Sequence, residues 1–177
     1  MALLNDCKYG YAVRGNVMAL SLLRSPKAPD DRCDIGRHHF QYALLPHEEA
    51  FATSRVLEEA RLFNVPVSVI PASLSEGQRT ALSGSYFRIE GARNLLIDTV
   101  KPSEKNSGVL IVRLYEALGG RGTGTLVSDK VKITGAEVCD LLEEPKGTSL
   151  TCSAGGSVAI PFTPFQILTL RLKLEIK

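Results

Sequence analysis

Near its C-terminal end the chain reads FQILTLRLKLEI, from Phe165 to Ile176, and this stretch restricts the possible folds more than any other. Ile167, Thr169, Arg171, Lys173 and Glu175 alternate with Leu168, Leu170, Leu172, Leu174 and Ile176. Successive side chains of a β-strand point to opposite faces, so this period of two gives one apolar and one wet face. The pattern calls for an antiparallel sheet with one solvated side, its apolar side covered by a second layer. LIVRLYE repeats the theme, with Leu110, Val112 and Leu114 set against Ile111, Arg113 and Tyr115. Further strands read from Tyr86 to Ile89, Asn94 to Thr99, Leu126 to Ile133, Glu137 to Leu142 and Ser157 to Ile160. Gly91, the run PSEKNSG and the run GGRGTGT from Gly119 to Thr125 punctuate them, the last as a long hairpin connection. Many strands with regular turn signals predict a mainly β chain, an antiparallel β-sandwich.

The N-terminal stretch Leu3 to Pro46 reads as the seed of that sandwich. Val17 to Arg24 is broken only by Ser21 and Arg24, which predicts a strand covered on both faces. SPKAPDD cannot sustain a ladder, because Pro26 and Pro29 lack an N–H. His38 to Leu45 then returns as a second strand, antiparallel to the first across one end of the sandwich. Arg14-Gly15-Asn16 closes a tight hairpin into Val17, and Asn5 to Gly10 form a polar loop.

One helix interrupts the strands. From His47 to Asn64 the residues Phe51, Val56, Leu57, Ala60 and Phe63 recur at helical spacing, with Glu48 and Glu49 in the first turn and Arg61 in the last. Pro66 prevents continuation. This amphipathic helix is expected to cover an edge or end of the sandwich. Val65 to Ile70 reads as a short strand, and Pro71 to Gly84 as a Ser-rich surface loop.

The 177 residues suit one domain, 1–177. A net charge of +2 creates no field that would select nucleic acid or a membrane surface. No apolar run approaches the ~20 residues that span a bilayer, and MALLNDCKYG has no basic and apolar leader pattern. Cys7, Cys33, Cys139 and Cys152 include no CxxC pair and read as free buried thiols. No Asn-x-Ser/Thr sequon occurs. Both features point to the cytoplasm. An apolar strand starts close to Met1 with nothing leading into it, so the expectation is a fragment of a longer chain.

The chemistry-bearing residues are sparse. Hydrolysis of a glycoside needs two carboxyl groups flanking the scissile bond, but Glu58-Glu59 and Glu143-Glu144 are sequence neighbours suited to solvated surfaces. His38 and His39 face opposite sides of a strand and His47 lies beyond Pro46, so no metal site is pre-organised. GGRGTGT lacks the Lys-Ser/Thr and following helix of a phosphate loop. Asn5, Asp6, Lys8, Tyr9, Arg14 and Arg24 place amide, carboxylate and basic groups beside an aromatic ring, the mixture that contacts sugar hydroxyls and sugar faces. Against that, Lys8 and Tyr9 also suit a turn, and Arg24 an ion pair with Asp30 or Asp31.

LLNDCKYGYAVRGN, LSLLRSPKAPD and HHFQYALLPH follow one another in the first 47 residues. LIVRLYEALGG, ITGAEVCDLLEE and IPFTPFQILTLRL follow from Leu110, Ile133 and Ile160. In this order they resemble the C-terminal region of the family 38 glycoside hydrolases, the class II α-mannosidases, nearest the cytosolic and vacuolar branch. The resemblance implies a galactose-mutarotase-like C-terminal β-sandwich from an enzyme that releases terminal α-D-mannose from oligosaccharides. That enzyme retains configuration and uses a divalent metal, zinc or cobalt, in its upstream catalytic domain. No counterpart of the nucleophile or ligand motifs stands in this chain, so neither catalytic residue nor cofactor is expected here. The implied partners are the upstream domain and a mannose-containing oligosaccharide, with room for an oligomer. The domain would stabilise the catalytic domain and shape its cleft. Arg24 is the first candidate to touch substrate, followed by Tyr9, Asn5 and Lys8. The alternative is a free-standing carbohydrate-binding or interaction module, for which 6% aromatics and no Trp offer few platforms.

Overall fold

The computed structural model describes residues 1–71, 73 and 84–176, so most of the predicted loop from Pro71 to Gly84 lies outside the described residues. The chain divides into two compact units, Met1–Ala72 and Ser73–Lys177. The first holds β1 (Ala2–Asn5), β2 (Tyr11–Arg14), β3 (Val17–Leu20), β4 (Tyr42–Leu45) and α1 (Val56–Asn64). The second holds β5 (Arg88–Glu90), β6 (Leu95–Pro102), β7 (Val109–Glu116), β8 (Gly122–Val127), β9 (Val131–Cys139), β10 (Pro145–Leu150), β11 (Val158–Phe162) and β12 (Ile167–Ile176).

The second unit is an antiparallel sandwich, as the alternation of β12 requires. Five strands run in the order β10-β9-β12-β7-β6 and three in the order β11-β8-β5. In the large sheet β12 lies between β7 and β9, with Leu170 opposite Val112 and Val138. Leu168, Leu170 and Leu172 are buried with Val112 and Leu114 of β7 and with Leu126, Val158, Ile160 and Phe162 of the small sheet. The inner faces of both sheets therefore share one core, which removes from water the apolar area that drives the fold.

Two connections and one strand differ from the sequence reading. Leu126 to Ile133 is not one strand, because Ser128 Oγ accepts the N–H groups of Lys130 (3.2 Å) and Val131 (3.1 Å) and turns the chain. The chain thereby passes from β8 in the small sheet to β9 in the large one. GGRGTGT is likewise not a hairpin connection: Gly122 to Thr125 belong to β8, and only Gly119 to Arg121 cross from β7 in the large sheet to β8 in the small one. β10 was not legible: Pro145 opens it, Gly147 takes φ +72 and its register shifts between Pro145 and Thr148. Such irregularity is tolerated on a sheet edge, where only one side must pair.

The first unit departs further. The Arg14-Gly15-Asn16 hairpin forms as read, with Arg14 opposite Val17 and Gly15 at φ +58. The strand from Val17 ends at Leu20, and β3 is exposed except for Leu20. Its partner is β2, whereas β4 pairs with β1, Leu3 opposite Leu44. The pairing expected between Val17–Arg24 and His38–Leu45 does not occur, because a two-residue turn closes β2 onto β3 at far lower entropic cost. The helix begins nine residues later than expected. Thr53 Oγ1 donates to Ala50 O (3.0 Å) and Ser54 Oγ to Phe51 O (2.9 Å), local bonds that compete with helix and hold the preceding residues in turns. α1 packs on β1 of its own unit, and Asn64 Nδ2 donates to Asn5 O at 3.1 Å. Val65 to Ile70 forms no strand and stands exposed, as Pro66 removes a donor from the ladder.

Candidate functional site

The polar loop after β1 is built by its own side chains. Asn5 Oδ1 accepts the Lys8 N–H at 2.5 Å, folding the chain back on itself. Asp6 Oδ1 accepts the Gln41 N–H at 3.0 Å while Asp6 N–H donates to Gln41 O at 3.2 Å, so the loop is clamped to the residue before β4. The Gln41 N–H holds the Asp6 carboxyl below the usual carboxylate range. The Lys8 ammonium lies 4.9 Å from the centre of the Phe40 ring, a cation–π contact. Ser21 N–H donates to Gly10 O at 2.8 Å, and a Cβ at Gly10 would stand 3.0 Å from Ser21 Cβ, so glycine permits this approach.

Of the four candidate contact residues, the structure gathers Asn5, Lys8 and Tyr9 in this loop. Asn5 and Lys8 are engaged internally. Tyr9 is 87% exposed. Arg24 is exposed a few residues beyond Ser21, and among the described residues its side chain has no ion pair; Asp30 Oδ1 instead accepts the Arg32 N–H (2.9 Å). Arg24 precedes Ser25, which takes φ +47 and donates its N–H to Asp34 Oδ2 at 3.1 Å. His38 binds Asp34 O and His47 binds Glu49 O, separately. Among the described residues no three metal-ligating side chains come together. All four cysteines are free, but Cys139 alone is fully buried and Cys7 is exposed, against the expectation of buried thiols throughout.

Two acidic residues carry the most distinctive polar geometry: Glu116, which sequence reasoning passed over, and Glu143, which it placed with Glu144 on a solvated surface but which is buried. Glu116 ends β7 and is 2% exposed. Its Oε1 accepts from Asn94 Nδ2 (2.7 Å), Leu118 N (2.9 Å) and Gly120 N (2.9 Å); its Oε2 accepts from Gly119 N (2.8 Å) and Phe165 N (2.7 Å). Burial pushes this carboxyl up, but the five donors outweigh it and bring the pKa to about 2. The clamp explains the glycines after it: Gly119 takes φ +77, and a Cβ at Gly120 would lie 2.7 Å from Asn94 Nδ2. It also holds Phe165, at φ +54, with its ring exposed and set over Gly119. The signal in the sequence was a lone Glu closing an apolar strand just before Gly-Gly.

Glu143 plays a similar part at the opposite connections. It takes φ +67 in the turn after β9, where Asp140 Oδ1 accepts the N–H groups of Leu142 and Glu144, each at 2.9 Å. Its carboxylate meets Lys101 Nζ (2.8 Å), Ser103 Oγ (2.7 Å) and Glu104 N (3.0 Å). The Lys101 ammonium, then the Ser103 hydroxyl, hold it at about 2. Glu116 has both carboxylate oxygens engaged by N–H donors, and Glu143 is held by Lys101, Ser103 and Glu104, so both order loops and are held as carboxylates, unsuited to giving a proton to a leaving group.

The chain matches two models of one family. Residues 94–170 match the glycosyl hydrolases family 38 C-terminal beta sandwich domain, and residues 1–32 the glycosyl hydrolases family 38 C-terminal domain. It is similar to alpha-mannosidase 2C1 of Homo sapiens, 39% identical over 99% of this chain and 16% of that protein. Alpha-mannosidase G of Dictyostelium discoideum is 35% identical over 97% and 16%, and the alpha-mannosidase of Saccharomyces cerevisiae 33% over 97% and 17%. The chain thus spans about one sixth of the length of the curated relatives it matches.

Proposed function

The chain belongs to the family 38 glycosyl hydrolases, within their C-terminal region, and on that premise we propose that it is an accessory β-domain of an α-mannosidase. The observation that carries this reading is the similarity to α-mannosidases along 97–99% of the chain, which covers only one sixth of them. The reaction assigned to the longer protein is metal-dependent hydrolysis of terminal α-D-mannose from oligosaccharides, with retention of configuration. Among the described residues no three metal-ligating side chains come together; the metal ligands and the nucleophile are assigned, as the family resemblance implies, to the catalytic region of the longer protein. This domain stabilises that region and shapes its cleft. Exposed Arg24 and Tyr9, with Asn5 and Lys8 ordering the loop beside Tyr9, are the residues we assign to substrate contact. The free thiols and the lack of sequons support a cytosolic parent, and among the described residues no helix is long and apolar enough to cross a membrane.

The test is a chromogenic α-mannoside assay with zinc or cobalt, on the 177-residue chain and on the longer protein. The longer protein should turn over substrate and the shorter chain should not; turnover by the shorter chain would overturn the accessory role. Arg24→Ala in the longer protein should raise KM several-fold with kcat little changed, as loss of one charge-assisted contact does. An unchanged KM would remove Arg24 from the cleft.

A further inference from the structure

On the large sheet, Leu170 and Leu172 take the buried side of β12, so Arg171 and Lys173 stand on the face that turns away from the core. Arg171 lies opposite Glu137 of β9, and Glu137 opposite Ser149 of β10. Together with Thr134 and Gly135 they line a groove of about 290 Å³. Three features of this groove are not explained by packing. Ile133 and Ala136, three residues apart, both reach the core, so β9 carries one extra residue where its register with β12 shifts between Lys173 and Leu174. Such bulges re-aim side chains, and here Thr134 and Gly135 both line the outward groove. Gly135 is not at a positive φ, and a Cβ there would lie 3.6 Å from the Lys173 side chain, an ordinary contact. Neither backbone nor packing demands this glycine, which weakens a strand interior and in such places marks the close approach of a ligand. Arg171, the third feature, has 18% of its side chain exposed. Its Nε is buried with no hydrogen-bond partner among the described residues, and its Nη1 stands 3.8 Å from Glu137. A guanidinium carries five N–H donors, and the fold leaves these largely unspent.

We infer that this groove binds one sugar residue through adjacent hydroxyl groups. A hydroxyl can donate and accept at once. One can donate to the Glu137 carboxylate while its neighbour accepts from Arg171 or Lys173, both as charge-assisted bonds, and Ser149 can serve in either sense. An anion would meet Glu137, and a cation would meet Arg171 and Lys173. Both signs of charge in one groove therefore favour a neutral polyol over an ion. The volume is at the low end for small-molecule pockets, which suits one ring, and the bare Gly135 lets that ring come close to the strand. Mannose as the sugar rests on the functional reading above, whereas the groove chemistry stands without it.

The experiment exposes the full-length protein to an α-D-mannopyranoside bearing an aliphatic diazirine, irradiates it and maps the labelled peptides. Label should fall on Val131–Cys139 or Ile167–Ile176. Methyl α-D-mannopyranoside should displace it and inorganic phosphate should not. Gly135→Val fills the groove and Arg171→Met removes its donors, and each should cut this label at least tenfold. Thermal melts identify a variant that fails to fold, and the other variant and the competition in the parent protein then decide. No label in either segment, undiminished label in a folded variant, or displacement by phosphate alone would overturn the inference. Turnover of an α-mannoside is followed in parallel. An active protein unlabelled in both segments would sink the groove assignment alone; a labelled one without turnover would sink the functional reading alone.

Discussion

At the scale of single residues, Glu116 shows how one buried carboxylate organises a connection between two sheets. Its folded pKa of about 2 lies below the ordinary 4.5. The contribution is therefore fully present above pH 4.5 and is lost as pH falls from 4.5 toward 2. The two values correspond to about 3 kcal/mol. Glu116→Gln keeps the shape but sets an amide –NH2 against N–H donors, so it should destabilise by roughly 2–3 kcal/mol at pH 7. The Gln variant should also lose less stability than the parent between pH 4.5 and 3, as read by thermal melts across that range. Parallel acid slopes in the two proteins would contradict the assignment. Only the local half was signalled in the sequence, by a lone Glu just before Gly-Gly; the donors Asn94 and Phe165 are brought to it only by the fold. The candidate contact residues show the opposite case. Asn5, Lys8 and Tyr9 are close in sequence, and the loop keeps them close in space.

At the scale of elements, the strands that read clearly are β7 and β12, whose inward residues are buried as read, although Ile111 and Thr169 on their other faces are buried too. Their alternation is imposed by the pleat and needs no knowledge of the partner. β10, on an edge, and the unpaired Val65 to Ile70 were misread because pairing depends on neighbours that a single segment cannot reveal. β8 carries a packing requirement of its own. A Cβ at Gly124 would lie 3.0 Å from Ile89 Cγ2, 3.0 Å from Leu95 Cδ2 and 3.1 Å from Ala92 Cβ. Gly124→Val should then cost about 2 kcal/mol by overpacking, measured by urea denaturation with an unchanged m-value. A neutral or stabilising change would mean that the small sheet yields at this point.

At the scale of the whole molecule, stability is distributed unevenly between the two units. In the 177-residue chain, native-state hydrogen exchange should find the amides of Val112, Leu114, Leu170 and Leu172 slowest, and those of β2 and β3 faster by at least a hundredfold. Equal protection would show a core in the first unit that the burial pattern does not contain. By itself the sequence determined the mainly β antiparallel architecture, the hairpin at Gly15 and the family resemblance, because side-chain period, turn chemistry and ordered motifs are local properties. The tertiary structure alone decided which strands pair, where the chain changes sheets and how Glu116 and Glu143 are used. Those outcomes depend on donors and apolar faces brought together from distant positions, whose burial and hydrogen bonding exist only once the chain has folded.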